Sequence, residues 1–247
     1  MLKGIPVPDF NPLPTDPCFC GSNKSFGDCC GTKDKRRPPP FGVKRIPSFL
    51  PPAKCRKWVR YLESQPRMPA RVFDKNNSSP GNPVYTEDPA RVCHNIEPGT
   101  LLKAINQTIT RAYNVMTRDT PNEIAWFEQP TILRYSAGGY YIHHSDSVMW
   151  DAVKKRYLKV EDRDLSLLLY INDEYEGGGL TFTRLNCSVR PRVGDVLMFP
   201  SGLEYEHRAN KVTSGVRYAI ACWSAFKGSP RIRPEPPIDA IYPKTSK

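Results

Sequence analysis

The chain has 247 residues, of which 39% are hydrophobic and 11% aromatic. That is enough for one sizeable domain with a real core and a small extra module. The net charge is +11, and no run of about 18 apolar residues occurs, so neither a membrane-spanning helix nor a membrane partner is expected. The N-terminal stretch Met-Leu-Lys-Gly-Ile-Pro-Val-Pro-Asp has no apolar signal core, and the C-terminal Lys-Thr-Ser-Lys is not an ER-retention signal. A cytoplasmic or nuclear protein, not a secreted one, is expected.

The charge is uneven. Residues 1–70 hold 13 Lys and Arg against 5 Asp and Glu, and the remainder holds 23 against 20. The basic region (Lys33, Lys35, Arg36, Arg37, Lys44, Arg45) could meet nucleic acid, a ribosome or an acidic protein; it equally fits a solvated linker. Residues 1–17 are Pro-rich and expected to be extended. Residues 18–31 read CFCGSNKSFGDCCG, placing Cys18, Cys20, Cys29 and Cys30 in two close pairs. In a chain with no signal core, such a cluster points to a metal rather than to disulfides. Four thiolates at this spacing suit tetrahedral Zn(II), and a unit this small needs the metal to fold. An iron–sulfur cluster or a disulfide pair are the alternatives.

Residues 1–37 are therefore expected to form a zinc-binding unit with a basic linker, 41–228 the main domain, and 229–247 a tail. The tail carries five Pro and should be disordered or wrapped over the surface. In the main domain the pattern predicts a helix over 51–62, opened by Pro, and a second over 100–116 with Leu101, Leu102, Ile105, Ile109 and Tyr113 on one side. Residues 73–91 lack periodicity and could be a substrate lid or a disordered insertion. From Pro130 the texture turns to strands: 132–135, 140–143, 165–171, 180–182, 196–199 and 216–223, separated by Gly, Asn, Asp and Pro. Short strands after two helices suggest an antiparallel barrel or double-sheet jelly roll.

Two strands carry candidate chemistry. His144 and Asp146 are two apart, so on an extended strand both face one way, whereas His143 has the wrong parity. His207 is the candidate third ligand. Two His and one carboxylate leave coordination positions of Fe(II) open for a cosubstrate and O2. Arg217, Ala219, Ala221 and Trp223 share one strand face, with Tyr218, Ile220 and Cys222 on the other. An Arg beside two small residues makes sense if an anion enters there, since a buried Arg with no anion is costly. A structural carboxylate such as Asp195 is the competing partner. With the metal ligands, Arg217 points to 2-oxoglutarate.

The segments IPSFLPPAKCRKWVRYLE, ILRYSAGGYYIHHSD, LSLLLYINDEYEGGGLTF, PRVGDVLMFPSGLEYEH and VTSGVRYAIACW resemble, in that order, the prolyl 4-hydroxylase-like family of 2-oxoglutarate- and Fe(II)-dependent dioxygenases. The resemblance covers roughly residues 41–226. It implies an α+β, mostly β fold: a double-stranded β-helix (jelly-roll) core with supporting N-terminal helices. It implies His144, Asp146 and His207 as iron ligands and Arg217 as partner of the far carboxylate of 2-oxoglutarate. Tyr135 and Tyr170 match cosubstrate-bonding tyrosines, and Trp223 would wall the pocket. Arg rather than Lys at 217 resembles the intracellular branch over collagen-type enzymes. The implied activity is peptidyl-prolyl 4-hydroxylation, coupled to conversion of 2-oxoglutarate and O2 to succinate and CO2, with ascorbate supporting it. The implied partner is a protein or peptide containing Pro.

CFCGSNKSFGDCCG closely resembles the SEC-C motif, which implies a zinc knuckle that docks proteins or ribosomes. A peptidyl-lysyl or other residue hydroxylase on the same scaffold is a rival reading. A nucleic-acid-directed oxygenase is another, but such relatives place a second Arg six residues after the first, where this chain has Trp223. An adaptor without activity is the last; the intact ligand set speaks against it.

Overall fold

The computed structural model describes residues 4–8, 12–18, 22–32, 42–74, 77, 84–118 and 122–243. In chain order these form β1 (Ile5–Val7), β2 (Lys44–Ile46), α1 (Pro52–Glu63), β3 (Arg67–Pro69), β4 (Val72–Phe73), β5 (Tyr85–Thr86), β6 (Arg91–Val92) and β7 (His94–Ile96). Next come α2 (Leu102–Thr117), β8 (Ile124–Phe127), β9 (Thr131–Ser136), β10 (Tyr140–His144), β11 (Val148–Asp151) and β12 (Arg156–Lys159). The chain continues through β13 (Leu165–Tyr170), β14 (Tyr175–Gly177), β15 (Leu180–Phe182), β16 (Cys187–Val189), β17 (Val196–Pro200), β18 (His207–Ala209) and β19 (Val212–Phe226).

Two antiparallel sheets build the core. The larger runs β2-β17-β13-β19-β9-β7-β3, with β14 and β8 also on β19; the smaller runs β16-β15-β18-β10-β6. The expected mostly-β jelly-roll architecture with supporting helices is what these sheets form. One apolar cluster lies between the sheets, joining Tyr135, Leu168, Tyr170, Ala219 and Ala221 of the large sheet to Leu180, Phe182 and Ala209 of the small one. A second packs Leu167, Leu169, Ile220 and Cys222 against Cys55 and Trp58 of α1 and Ile105 and Ile109 of α2. The large sheet is thus covered on both faces. That is why its strands read as near-continuous apolar runs (LSLLLY, VLMF), while each successive residue still switches cluster.

Both predicted helices are present, the second entered through a short 3₁₀ turn at Gly99–Leu101. On α1 the buried positions are Cys55, Trp58 and Leu62, with Val59 partly buried beside them. All six predicted strands are present within a residue or two, except that β19 is much longer than 216–223. It begins at Val212 and runs through Gly215, whose φ of +75° and close approach to the Glu174 carbonyl exclude a side chain.

Several short strands were not anticipated. β1, β2, β7 and the β11–β12 hairpin are three or four residues each, too short for alternation to declare them. Of the expected lid, 75–76 and 78–83 lie outside the described residues; its flanks pair as β4 and β5. Most of the expected basic linker lies outside them too. The described part of the tail, residues 229–243, wraps over the surface. Asp162 accepts the Ile232 and Arg233 N–H groups at 2.7 and 3.0 Å, and Ile241 pairs with Phe127. Among the described residues no helix is long and apolar enough to cross a membrane.

Candidate active site

The two sheets open on one side into a cleft of about 1080 Å3, lined by Tyr135, His144, Asp146, His207, Arg217 and Trp223 among others. Strand pairing places the histidines. β10 and β18 are antiparallel neighbours, and His144 and His207 are direct cross-strand partners despite being 63 residues apart in the chain. Asp146 follows β10 directly. One ligand atom from each of the three lies within 4.8 Å of the others. His144 Nε2 is 3.7 Å from Asp146 Oδ1, and His207 Nε2 is 3.8 Å from Oδ2. His143 is exposed and outside the group.

Each imidazole is oriented by the carbonyl two residues before it. His144 Nδ1 lies 2.8 Å from the Ile142 carbonyl and His207 Nδ1 lies 2.9 Å from the Tyr205 carbonyl. A carbonyl only accepts, so Nδ1 carries the proton and the Nε2 lone pair is left for a metal. Burial and the neighbouring His207 push the His144 pKa down to about 3, keeping it neutral. Burial alone would raise the Asp146 pKa. The positive charge of the imidazoles when protonated, the Ser166 hydroxyl and the Arg163 guanidinium outweigh it and hold the group below the usual carboxylate range. Neutral imidazoles and an ionised carboxylate are the forms that ligate a divalent cation.

Asp146 is also fixed in place. Ser166 Oγ donates to its Oδ2 at 2.6 Å and lies 2.7 Å from Ser201 Oγ, while the Ser201 carbonyl accepts from Ser145 and Ser147 hydroxyls. Arg163 donates from Nη1 to the Asp146 carbonyl at 3.2 Å, grips Glu128 at 2.5 and 2.8 Å, and lies 4.2 Å from the Trp223 ring centroid. Sequence reasoning passed over Ser166 and Arg163. The signal available for Ser166 was a lone hydroxyl on the inward parity of an apolar strand.

Arg217 lies deeper between the sheets and is 1% exposed. Its guanidinium stands 4.7 Å from the Tyr135 ring and 5.2 Å from the Tyr170 ring, and its Nε and Nη1 have no hydrogen-bond partner. The Tyr170 hydroxyl is likewise buried and faces the Arg217 guanidinium. Burial pushes the Tyr170 pKa up to about 12 and raises that of Tyr135, so both stay protonated donors. Asp195 is not the Arg217 partner: it binds Arg45 at 2.5 Å and the Ser48 N–H at 3.0 Å. Orphaned donors around a buried cation, beside a metal-type triad, fit a dicarboxylate that chelates a metal.

A second cluster lies in the N-terminal segment. The sulfurs of Cys18, Cys29 and Cys30 lie within 4.8 Å of one another, and all three residues are buried; Cys20 lies outside the described residues. Asn23, with φ of +59°, turns the chain back, and the Cys18 N–H donates to the Lys24 carbonyl at 2.9 Å. This unit is not separate from the rest. Phe26, Cys29 and Cys30 belong to the same apolar cluster as Leu185, Asn186 donates to the Gly31 carbonyl at 3.3 Å, and β1 pairs with β12.

Comparison with known proteins finds a family match for each of two segments. Residues 130–225 match the 2OG-Fe(II) oxygenase superfamily and residues 15–32 the SEC-C motif. The first segment is a 2OG-Fe(II) oxygenase domain and the second a SEC-C motif. By sequence, human prolyl 3-hydroxylase 2 is 42% identical over 66 residues, and mouse prolyl 3-hydroxylase 3 is 47% identical over 69. These stretches cover 25% and 26% of this chain and 9% of each relative. The chain thus matches under a tenth of their length. Among solved structures, a Pseudomonas putida prolyl-4-hydroxylase is similar at 21% identity and TM-score 0.46, covering 76% of this chain and 94% of that one. The viral collagen prolyl hydroxylase of Paramecium Bursaria Chlorella virus-1 is similar at 19% identity and TM-score 0.49, covering 75% and 97%.

Proposed function

We propose that this chain is an Fe(II)- and 2-oxoglutarate-dependent dioxygenase that hydroxylates a prolyl residue in a protein or peptide. The observation that carries the reading is the His144–Asp146–His207 triad beside Arg217 and its unpartnered Nε and Nη1. In this reading the triad holds iron, Arg217 takes the far carboxylate of 2-oxoglutarate, and Tyr135 and Tyr170 donate to the cosubstrate. Cys18, Cys29 and Cys30, with Cys20, hold zinc. Bound iron and cosubstrate supply the oxidation: O2 and 2-oxoglutarate yield succinate, CO2 and a hydroxylated C–H. The residues orient and seclude. The two Nδ1 contacts aim the imidazoles, Ser166 and Arg163 fix Asp146, and Trp223, held under Arg163, walls the cleft. No acid–base residue is required for this chemistry.

The expected product is 4-hydroxyproline. The names of the matched sequence relatives favour a second reading, 3-hydroxyproline. Succinate formation with Fe(II), 2-oxoglutarate and O2, run with and without Pro- and Lys-containing peptides, tests the proposal. A +16 Da shift on Pro coupled to succinate supports it, and amino-acid analysis then separates the two isomers. A shift on Lys alone moves the reading to a lysyl hydroxylase. A chain that binds no 2-oxoglutarate in the presence of a divalent metal would falsify the reading.

A further inference from the structure

Arg91 repeats the features that set Arg217 apart. It lies on β6, at the edge of the small sheet, as the cross-strand partner of Tyr141. Its guanidinium is 4.9 Å from the Tyr141 ring centroid, and Tyr141 in turn stacks on His144 at 3.7 Å. One ring, that of Tyr141, therefore separates Arg91 from His144 of the triad, and Arg91 lines the same cleft. Its Nε is buried with no hydrogen-bond partner, Nη1 donates to the Arg71 carbonyl at 3.2 Å, and the guanidinium also meets the Cys93 side chain.

The carboxylates of the cleft do not neutralise it. Glu128 is gripped by Arg163, Glu161 binds Arg233 at 2.9 Å, and Glu206 accepts from Thr183 at 2.8 Å and faces Arg184 at 3.6 Å. Asp88 accepts the Ala90 N–H at 2.7 Å. Among the described residues none places a carboxylate within 4.0 Å of Arg91. Of the cleft's inner cations, Arg163 has its anion. Arg217, deeper and nearly sealed, suits the cosubstrate. Both carboxylates of 2-oxoglutarate would then be engaged, one at the site of the His144, Asp146 and His207 group and one at Arg217. Arg91 is left over. A half-buried guanidinium with an unused donor is a seat for a carboxylate, whose two oxygens match its fork.

We propose that Arg91 takes an acidic group of the substrate, so that the segment hydroxylated carries a carboxylate close to the oxidised residue. This rests on the dioxygenase reading above and narrows its substrate class. The alternative is that Arg91 merely props Tyr141 and, through it, His144.

The test uses the full chain with Fe(II) and 2-oxoglutarate. It is given three pools of short peptides with one central Pro, identical but for Asp/Glu, Asn/Gln or Lys/Arg at the flanking positions. Mass spectrometry reads hydroxylated product in each pool, and Mn(II) and 2-oxoglutarate affinities are measured in parallel. Wild type should prefer the acidic pool over the neutral one by about tenfold or more, the scale of one charge-assisted hydrogen bond. Arg91→Gln should bring that ratio near one, and Arg91→Glu should turn the preference toward the basic pool, with Mn(II) and 2-oxoglutarate binding unchanged in both. Wild type turning over the acidic pool no faster than the neutral one overturns the proposal. So does a preference that persists in Arg91→Glu, or a loss of Mn(II) affinity in Arg91→Gln, which is the propping role. A wild-type chain that fails to bind 2-oxoglutarate with Mn(II) sinks the dioxygenase reading itself and is told apart by that measurement.

Discussion

Replacing Ser166 with Ala isolates the support of one metal-ligand candidate. The Ser166 hydroxyl donates to Asp146 Oδ2 at 2.6 Å, and both side chains are buried, Ser166 at 1% exposure. A hydrogen bond to a charged group in such a place contributes about 1.5–3 kcal/mol. The substitution takes that donor away and leaves the carboxylate free to turn from the two imidazoles. If most of the energy serves to hold Asp146 in its ligating pose, Mn(II) affinity should fall by about 10–100-fold, the range found for residues that orient metal ligands. Isothermal titration of Mn(II) into the full chain, with melting temperature recorded alongside, measures both consequences. A folded Ser166→Ala variant that binds Mn(II) within about twofold of wild type would refute the reasoning, because the hydroxyl would then be satisfying the carboxylate without positioning it.

His144→Ala or His207→Ala should abolish 2-oxoglutarate turnover in a folded chain; full turnover in either removes that residue from the ligand set. Arg217→Gln should raise the Kd for 2-oxoglutarate by about tenfold or more without lowering the melting temperature of the ligand-free chain, since it removes a buried cation that has no carboxylate partner there; calorimetry with Mn(II) present reads the first and thermal melting the second. Asp195→Ala strips Arg45 and the Ser48 N–H of their acceptor and should cost about 3 kcal/mol of stability, read by urea unfolding; an unchanged midpoint would contradict the pairing. The His144 pKa lies below that of the unfolded chain, so protons bind the unfolded state better as pH falls beneath about 6.5. The metal-free chain should therefore lose stability between neutral and mildly acidic pH, and the loss should shrink in His144→Gln; equal slopes for both proteins would exclude this origin. Cys29→Ser should release zinc, by elemental analysis, and loosen the 183–186 turn packed on it, by hydrogen exchange; unchanged exchange there would show the knuckle to be independent of the domain.

The sequence by itself determined the parts whose evidence is local. Parity put His144 with Asp146 and set His143 aside, because neighbouring side chains on a strand leave opposite faces. The same rule divided β19 into an Arg217–Ala219–Ala221 face that looks between the sheets and a Tyr218–Ile220–Cys222 face that looks toward the helices. Proline and apolar spacing announced both helices, and the paired cysteines announced the knuckle. Tertiary structure decided whatever depended on residues far apart in the chain. The pairing of β10 with β18 brought His207 opposite His144, and only packing showed Asp195 committed to Arg45 and Arg217 left with open donors. Ser166, Arg163 and Arg91 acquired their places at the site in the same way. A hydroxyl or guanidinium carries no role in its spacing; its role is set by which acceptor the folded sheets place within reach, and by which they leave out.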